Sequence, residues 1–182
     1  MEQIHNSPVG PVQRVILIGL MGAGKSSIGR RLSKELDLPL IDLDDVIVEK
    51  AGMSIPEIFE QQGEAAFRRM ESETLREAVE QPAIIATGGG IVMAEENRAL
   101  LKQHPPVVWL QASPEFLAAR IDGDSNRPLI AVGNTLNRLK SLAELRYPLY
   151  EACADLVVPR EFLKKKEVVQ IILRFLASRK QP

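Results

Sequence analysis

The sequence predicts an α/β fold, a five-stranded parallel sheet with helices on both faces in three α/β/α layers. Two observations predict it. Five short apolar runs, residues 14–19, 40–43, 83–87, 107–110 and 156–158, lack the in-and-out polarity of half-exposed strands, so each reads as a strand buried on both faces. Between them lie segments with apolar residues at helical spacing, and strands that alternate with helices build a parallel sheet.

Taken in order, residues 1–13 contain Pro8, Gly10 and Pro11, which oppose regular structure, and are expected to form a flexible leader. Residues 14–182 are expected to form a single domain, because 182 residues suffice for one real core and not for two. Residues 14–19 (RVILIG) are a β-branched run stopped by glycine. Ile28, Leu32 and Leu36 place an apolar stripe on a helix over 25–36. Residues 55–80 read as largely helical with a break near Gly63, and further helices are expected over 115–121, about 136–146 and about 164–178. Residues 122–134 (DGDSNRPLIAVGN) are rich in Gly, Asp, Asn and Pro and read as a mobile loop.

Composition excludes several function classes. Hydrophobic residues make up 45% and charged residues 26%, an ordinary soluble mix, and the formal net charge is −1. Nothing global attracts such a chain to nucleic acid or to an anionic membrane, so any anion must be captured by local charge. The single cysteine, Cys153, has no partner for an internal disulfide and no Cys/His cluster around it for zinc; its apolar neighbours make it a small core residue. The first residues lack a signal-peptide layout, and no apolar run approaches the ~20 residues of a membrane span. A cytoplasmic setting is expected.

Residues 19–26, Gly-Leu-Met-Gly-Ala-Gly-Lys-Ser, fit G-x-x-x-x-G-K-[ST] between an expected strand and an expected helix, the context that makes this motif a phosphate-binding P-loop. Glycine lets backbone N–H groups turn inward around phosphate oxygens without a Cβ in the way. The helix that follows offers its unpaired N–H groups and the positive end of its dipole to the same anion. Gly22, Ala23, Gly24, Lys25, Ser26 and Ser27 are therefore expected to hold the phosphates of ATP. Lys25 brings a charge to the β and γ phosphates, and the Ser26 hydroxyl suits a Mg²⁺ ligand. Asp42 and Asp44, two residues apart at a strand end, point the same way if the backbone is extended, toward the crevice where open α/β sheets bind ligands.

Behind the P-loop stand Asp42-Leu43-Asp44, Phe67-Arg68-Arg69, Gly88-Gly89-Gly90, Arg127-Pro128-Leu129 and Arg146-Tyr147-Pro148-Leu149-Tyr150. In order and spacing this set resembles the shikimate kinase family, over roughly residues 14–158. The resemblance implies a P-loop kinase of the nucleoside-monophosphate-kinase type. It would be a monomer that phosphorylates the 3-hydroxyl of shikimate with MgATP, on the route to chorismate and aromatic amino acids. It also implies a helical substrate-binding region over about 42–71 and a lid over about 122–134.

Residue by residue, the resemblance implies that Asp42 helps hold Mg²⁺ with Ser26, and that Asp44 binds the acceptor hydroxyl as base or orienter. Without a P-loop ahead of them both would read as solvated or capping acids, as Asp45 does. Arg68 and Arg146 would clamp the substrate carboxylate, which a guanidinium matches with two parallel hydrogen bonds. Arg68 otherwise reads as a surface helix residue, like Arg69, and Arg146 as a cation at a helix C-terminus. Glu71, three residues on, could orient Arg68. Gly88, Gly89 and Gly90 would present backbone N–H groups to shikimate. Arg127, in the lid, would close on the transferring phosphoryl group, and Arg120 takes a position that stacks on adenine or is a helix-surface cation.

Residues 159–166 carry no recognisable adenine-side motif, and the three lysines 164–166 read as a solvated helix start. Trp109 reads as core, Tyr147 and Tyr150 as packing residues, and His5 and His104 as surface residues. Two other readings stay open. One is a different small-molecule P-loop kinase, acting on gluconate or a nucleoside monophosphate; the other is a catalytically silent nucleotide-binding module.

Overall fold

The computed structural model describes residues 13–122 and 134–179. Its strands are β1 (Arg14–Ile18), β2 (Leu40–Asp42), β3 (Ala83–Ala86), β4 (Val107–Gln111) and β5 (Leu156–Pro159). Its α-helices are α1 (Lys25–Leu36), α2 (Leu43–Ala51), α3 (Ile55–Gln62), α4 (Glu64–Ala78), α5 (Glu95–Gln103), α6 (Pro114–Asp122), α7 (Thr135–Cys153) and α8 (Lys165–Arg179), with a 3-10 turn over Ile91–Met93. The strands form one sheet in the order β2-β3-β1-β4-β5, and all four pairings are parallel. The expected fold class is the observed one, with five strands at the expected places.

The centre of the sheet is the driest part of the molecule. Val15, Ile16, Leu17 and Ile18 are fully buried, as are Ile84 and Ile85 beside them, which is why these strands read as continuous apolar runs. Trp109 and Cys153 lie in the same core, as expected. A separate small cluster, Ile47, Ile58 and Phe67, holds α2, α3 and α4 to one another. The break at Gly63 is real: its φ of 87° and ψ of 165° suit glycine and separate α3 from α4. Among the described residues, no helix is long and apolar enough to cross a membrane.

Three features differ from the sequence expectation. Apolar spacing marks neither α5 nor α2, although α2 falls in the region over about 42–71 that the resemblance implies is helical and carries ordinary end signals: Asp42 caps it, Asp44 and Asp45 lie in its first turn, Lys50 in its last, and Gly52 follows at φ 67°. The third is α7, expected to stop near 146, which runs on through Pro148 to Cys153. Proline removes one N–H, whose partner would be the carbonyl of Glu144; Glu144 and Pro148 are both exposed, so water can serve that carbonyl. Leu139, Ala143, Tyr150 and Cys153 form one buried stripe, and its packing carries the helix past the proline. Arg146 thus lies inside a helix and not at its end, and the C-terminal-cation reading of it falls.

Helix α1 ends on Asp37, the non-glycine residue with positive φ (53°) among the described residues, whose N–H bonds to the Ser33 carbonyl. This left-handed cap favours glycine. Asp37→Gly should therefore raise stability by about 0.5–1 kcal/mol, read as a higher urea midpoint at unchanged slope.

Candidate active site

The parallel register sets the site. Leu17 pairs with Ala86 and Asp42 pairs with Ala86, so β1, β3 and β2 reach their carboxyl ends at one height. The P-loop, the Thr87–Gly90 turn and the Asp42–Asp44 segment leave the sheet together at its topological switch point, where ligands of such folds bind. Gly22 (φ 87°) and Gly24 (φ 93°) take the left-handed backbone that turns the loop around its centre. Lys25 Nζ donates to the carbonyls of Gly19 (2.6 Å) and Leu20 (3.0 Å), which ties the lysine head back to the start of the loop.

Ser26 Oγ donates to Asp42 Oδ2 at 2.5 Å, while Asp42 Oδ1 accepts the N–H of Asp44 at 3.1 Å. One carboxylate thus caps α2 and reaches the P-loop serine. Asp42 is the cap, not Asp45, and Asp44 already belongs to the first turn of α2. The extended-backbone argument for the pair does not hold, yet both acids face the same cavity. Burial, and Asp42 next, push the Asp45 carboxyl up despite Arg30 nearby. The Ser26–Asp42 pair supplies two hard oxygen donors, the type that magnesium takes alongside nucleotide phosphates. Among the described residues no group of three or more His, Cys, Asp or Glu could hold a metal without such phosphate oxygens.

A cavity of about 310 Å³ gathers the expected nucleotide residues Gly22, Gly24, Lys25, Ser26, Ser27 and Arg120, the expected metal ligand Asp42, and Asp44, Gly88 and Gly89 from the expected acceptor set. Ala23 is buried behind the loop. Arg120 is exposed at the rim, its guanidinium 5.6 Å from the centre of the Phe116 ring. Arg127 lies outside the described residues, as does nearly all of the expected lid.

The arginine-lined side of the site adjoins this cavity. A second one of about 550 Å³ shares Met21 with it and is lined by Ile55, Pro56, Phe59, Arg68 and Arg146 among others. The three glycines explain themselves here. A Cβ on Gly88 would stand 2.9 Å from Glu71 Oε2 and 3.2 Å from Asp44 Oδ1; on Gly89, 3.2 Å from Arg146 Nη1; on Gly90, it would collide with the Arg68 guanidinium. None of the three has a positive φ, so what glycine accommodates here is the close approach of charged side-chain tips, which a Cβ would push aside. Arg68 Nη1 pairs with Glu71 Oε1 at 3.0 Å and Nη2 with Glu64 at 3.4 Å. Glu71 is only 1% exposed. Burial pushes its carboxyl up, with Arg68 acting in the opposite sense.

Residues 21–177 match the sequence profile of the family described as shikimate kinase. The chain belongs to the shikimate kinase family. It is 42% identical over 167 residues to a shikimate kinase of Enterococcus faecalis, covering 91% of this chain and 99% of that one. Shikimate kinase from Acinetobacter baumannii, in complex with shikimate, superposes with a TM-score of 0.87 at 37% identity, over 94% of this chain and 96% of that one. A gluconokinase from Sinorhizobium meliloti reaches 0.60 at 15% identity, over 94% and 95% of the two chains, a likeness of fold alone.

Several residues of this shikimate kinase family member line the site without having been singled out: Met21, Arg30, Thr87 and Ile121. Arg160 is another. It is 4% exposed, its Nη1 donates to the Leu163 carbonyl at 2.5 Å, and its Nε sits 3.7 Å from where a Cβ on Gly24 would be. No described residue accepts its buried Nε–H. Burial, then Arg120, holds its pKa down. The available signal was its place just after β5, on the same edge of the sheet as the P-loop.

The raised Glu71 carboxyl has a consequence for stability. The folded state binds this proton more tightly than the unfolded chain, so the contribution of Glu71 is largest below the unfolded pKa and is lost as pH rises through the folded one. The unfolding free energy of wild type minus that of Glu71→Gln should fall as pH increases from about 4.5 upward. Urea titrations of both proteins across that range check it; a difference that grows with pH would contradict the assignment.

Proposed function

We propose that the protein transfers the γ-phosphoryl group of ATP to the 3-hydroxyl of shikimate, giving shikimate 3-phosphate and ADP, a step of aromatic amino acid biosynthesis. The observation that carries the reading is the juxtaposition of a P-loop cavity with two guanidinium groups, Arg146 over Gly89 and Arg68 beside Gly90. A phosphate cradle alone would serve any nucleotide kinase. Two arginines on the adjoining cavity fit an acceptor that carries a carboxylate.

In this reading the triphosphate lies along Gly22–Ser27, and Lys25 exchanges its carbonyl partners for β and γ oxygens. Arg120 and Arg160 flank the nucleoside side. Arg68 and Arg146 hold the acceptor's carboxylate, and the turn at 88–90 meets its ring. The 3-hydroxyl then faces the γ-phosphorus beside Asp44. Its oxygen forms the new P–O bond, the bond to the β–γ bridging oxygen breaks, and that oxygen leaves with ADP. The hydroxyl proton passes to Asp44 and on to water. Asp44 orients and accepts; most of the rate comes from alignment and charge neutralisation. Ser26 and Asp42 would hold Mg²⁺, which when bound neutralises phosphate charge. Glu71 keeps the Arg68 fork aimed through their 3.0 Å pair. The segment over about 122–134, with Arg127, is assigned to the lid that excludes water.

Acceptor profiling with MgATP tests the reading. Turnover is expected with shikimate and not with gluconate, AMP or CMP; turnover with only a nucleotide acceptor would reject it, and ATP binding with no phosphorylated product would leave the silent module. Asp44→Asn should lower kcat by about 10²–10⁴ with little change in ATP affinity. Unchanged turnover in that variant would remove Asp44 from the mechanism.

A further inference from the structure

Tyr150 is fully buried in α7, one helical turn beyond Arg146. Its ring packs on Trp109, with centroids 5.6 Å apart, and its hydroxyl donates to the carbonyl of Gly89. A phenol has one proton to give, and that proton is spent on Gly89; its lone pairs remain for a donor. Burial pushes the pKa of this hydroxyl up, and the charge of the Arg146 guanidinium acts against it. Arg146 Nη1 also stands over Gly89, 3.2 Å from where a Cβ would be. Arg146 Nε is buried, and no described residue accepts its proton. The Tyr150 hydroxyl thus meets the glycine turn at Gly89, the residue over which the Arg146 guanidinium also stands. Arg68 has two carboxylates, Glu71 and Glu64, to fix its fork. Arg146 has the charge of Glu71 nearby and Tyr150 one helical turn away.

We propose that Tyr150 is a positioning residue for acceptor binding: its hydroxyl ties α7 to the Gly89 carbonyl one helical turn from Arg146, and so sets the aim of the carboxylate-binding arginine relative to the turn that meets the acceptor ring. This rests on the assignment of Arg146 to the acceptor carboxylate. Tyr147 supplies the internal control. It sits in the same helix, packs on the same Trp109 (5.2 Å between centroids) and donates its hydroxyl to another backbone carbonyl, that of Ala112, away from the glycine turn.

The test compares Tyr150→Phe, Tyr147→Phe, Arg146→Lys and the double variant Tyr150→Phe/Arg146→Lys, assayed where circular dichroism shows each folded. Each Tyr→Phe change removes one oxygen and keeps its ring, so both should lower the unfolding midpoint by similar amounts. Tyr150→Phe should raise KM for shikimate about tenfold while KM for ATP stays within about twofold. Tyr147→Phe should leave both constants within about twofold of wild type. Because Tyr150 acts through Arg146, the double variant should bind shikimate no worse than Arg146→Lys alone. An unchanged KM in Tyr150→Phe, an equal rise in Tyr147→Phe, or multiplied losses in the double variant would each overturn the positioning role. An unchanged KM in Arg146→Lys would instead sink the carboxylate assignment itself and take the proposal with it.

Discussion

The common height at which β1, β2 and β3 end is the constraint on which the site depends. Leu17, Asp42 and Ala86 stand side by side in register, so the three segments that follow them emerge at one edge of the sheet. A slip of one residue would turn each following side chain to the opposite face. The register is protected by burial on both faces of the inner strands, where any slip would put polar loop backbone into a dry core. Chemistry at the edge is thus fixed by apolar contacts in the middle.

Charge at that edge is dense although the chain as a whole is nearly neutral. Asp44, Glu71, Arg68 and Arg146 crowd against three successive glycines, and Glu71 lies nearly out of contact with water. Burying a carboxylate is costly unless charged partners and hydrogen bonds compensate it, and removing one partner leaves the other stranded. The arrangement therefore contributes aim more than stability. It holds guanidinium forks at a set distance from the phosphate cavity before any ligand arrives, which is what phosphoryl transfer requires of a protein.

The helical flank has a packing of its own. Ile47, Ile58 and Phe67 hold α2, α3 and α4 together apart from the main core, while the long stripe of α7 is sewn into that core. Arg68 comes from the first group and Arg146 from the second. Helix α4 also reaches the main core through Leu75 and Ala78, so the two guanidinium groups meet at the glycine turn on a shared support, where Tyr150 reaches across from α7 to the Gly89 carbonyl.

The five strands, the P-loop and the family were legible in the sequence because they rest on local rules: continuous apolar runs for doubly buried strands, glycine where the backbone must turn left-handed, lysine and serine at a helix start. Asp42, Asp44, Arg68 and Arg146 could be named because family spacing carries them. Their surroundings could not. That Asp42 caps α2 and also takes the Ser26 hydroxyl, that α7 outruns Pro148, and that Arg160 is buried beside Gly24 all depend on segments far apart in sequence. The glycine turn shows the division most plainly. Its composition was visible from the start, but its cause, charged side chains from α2, α4 and α7 pressing on it, exists only once those helices have packed, since no local preference encodes a contact between residues 89 and 146.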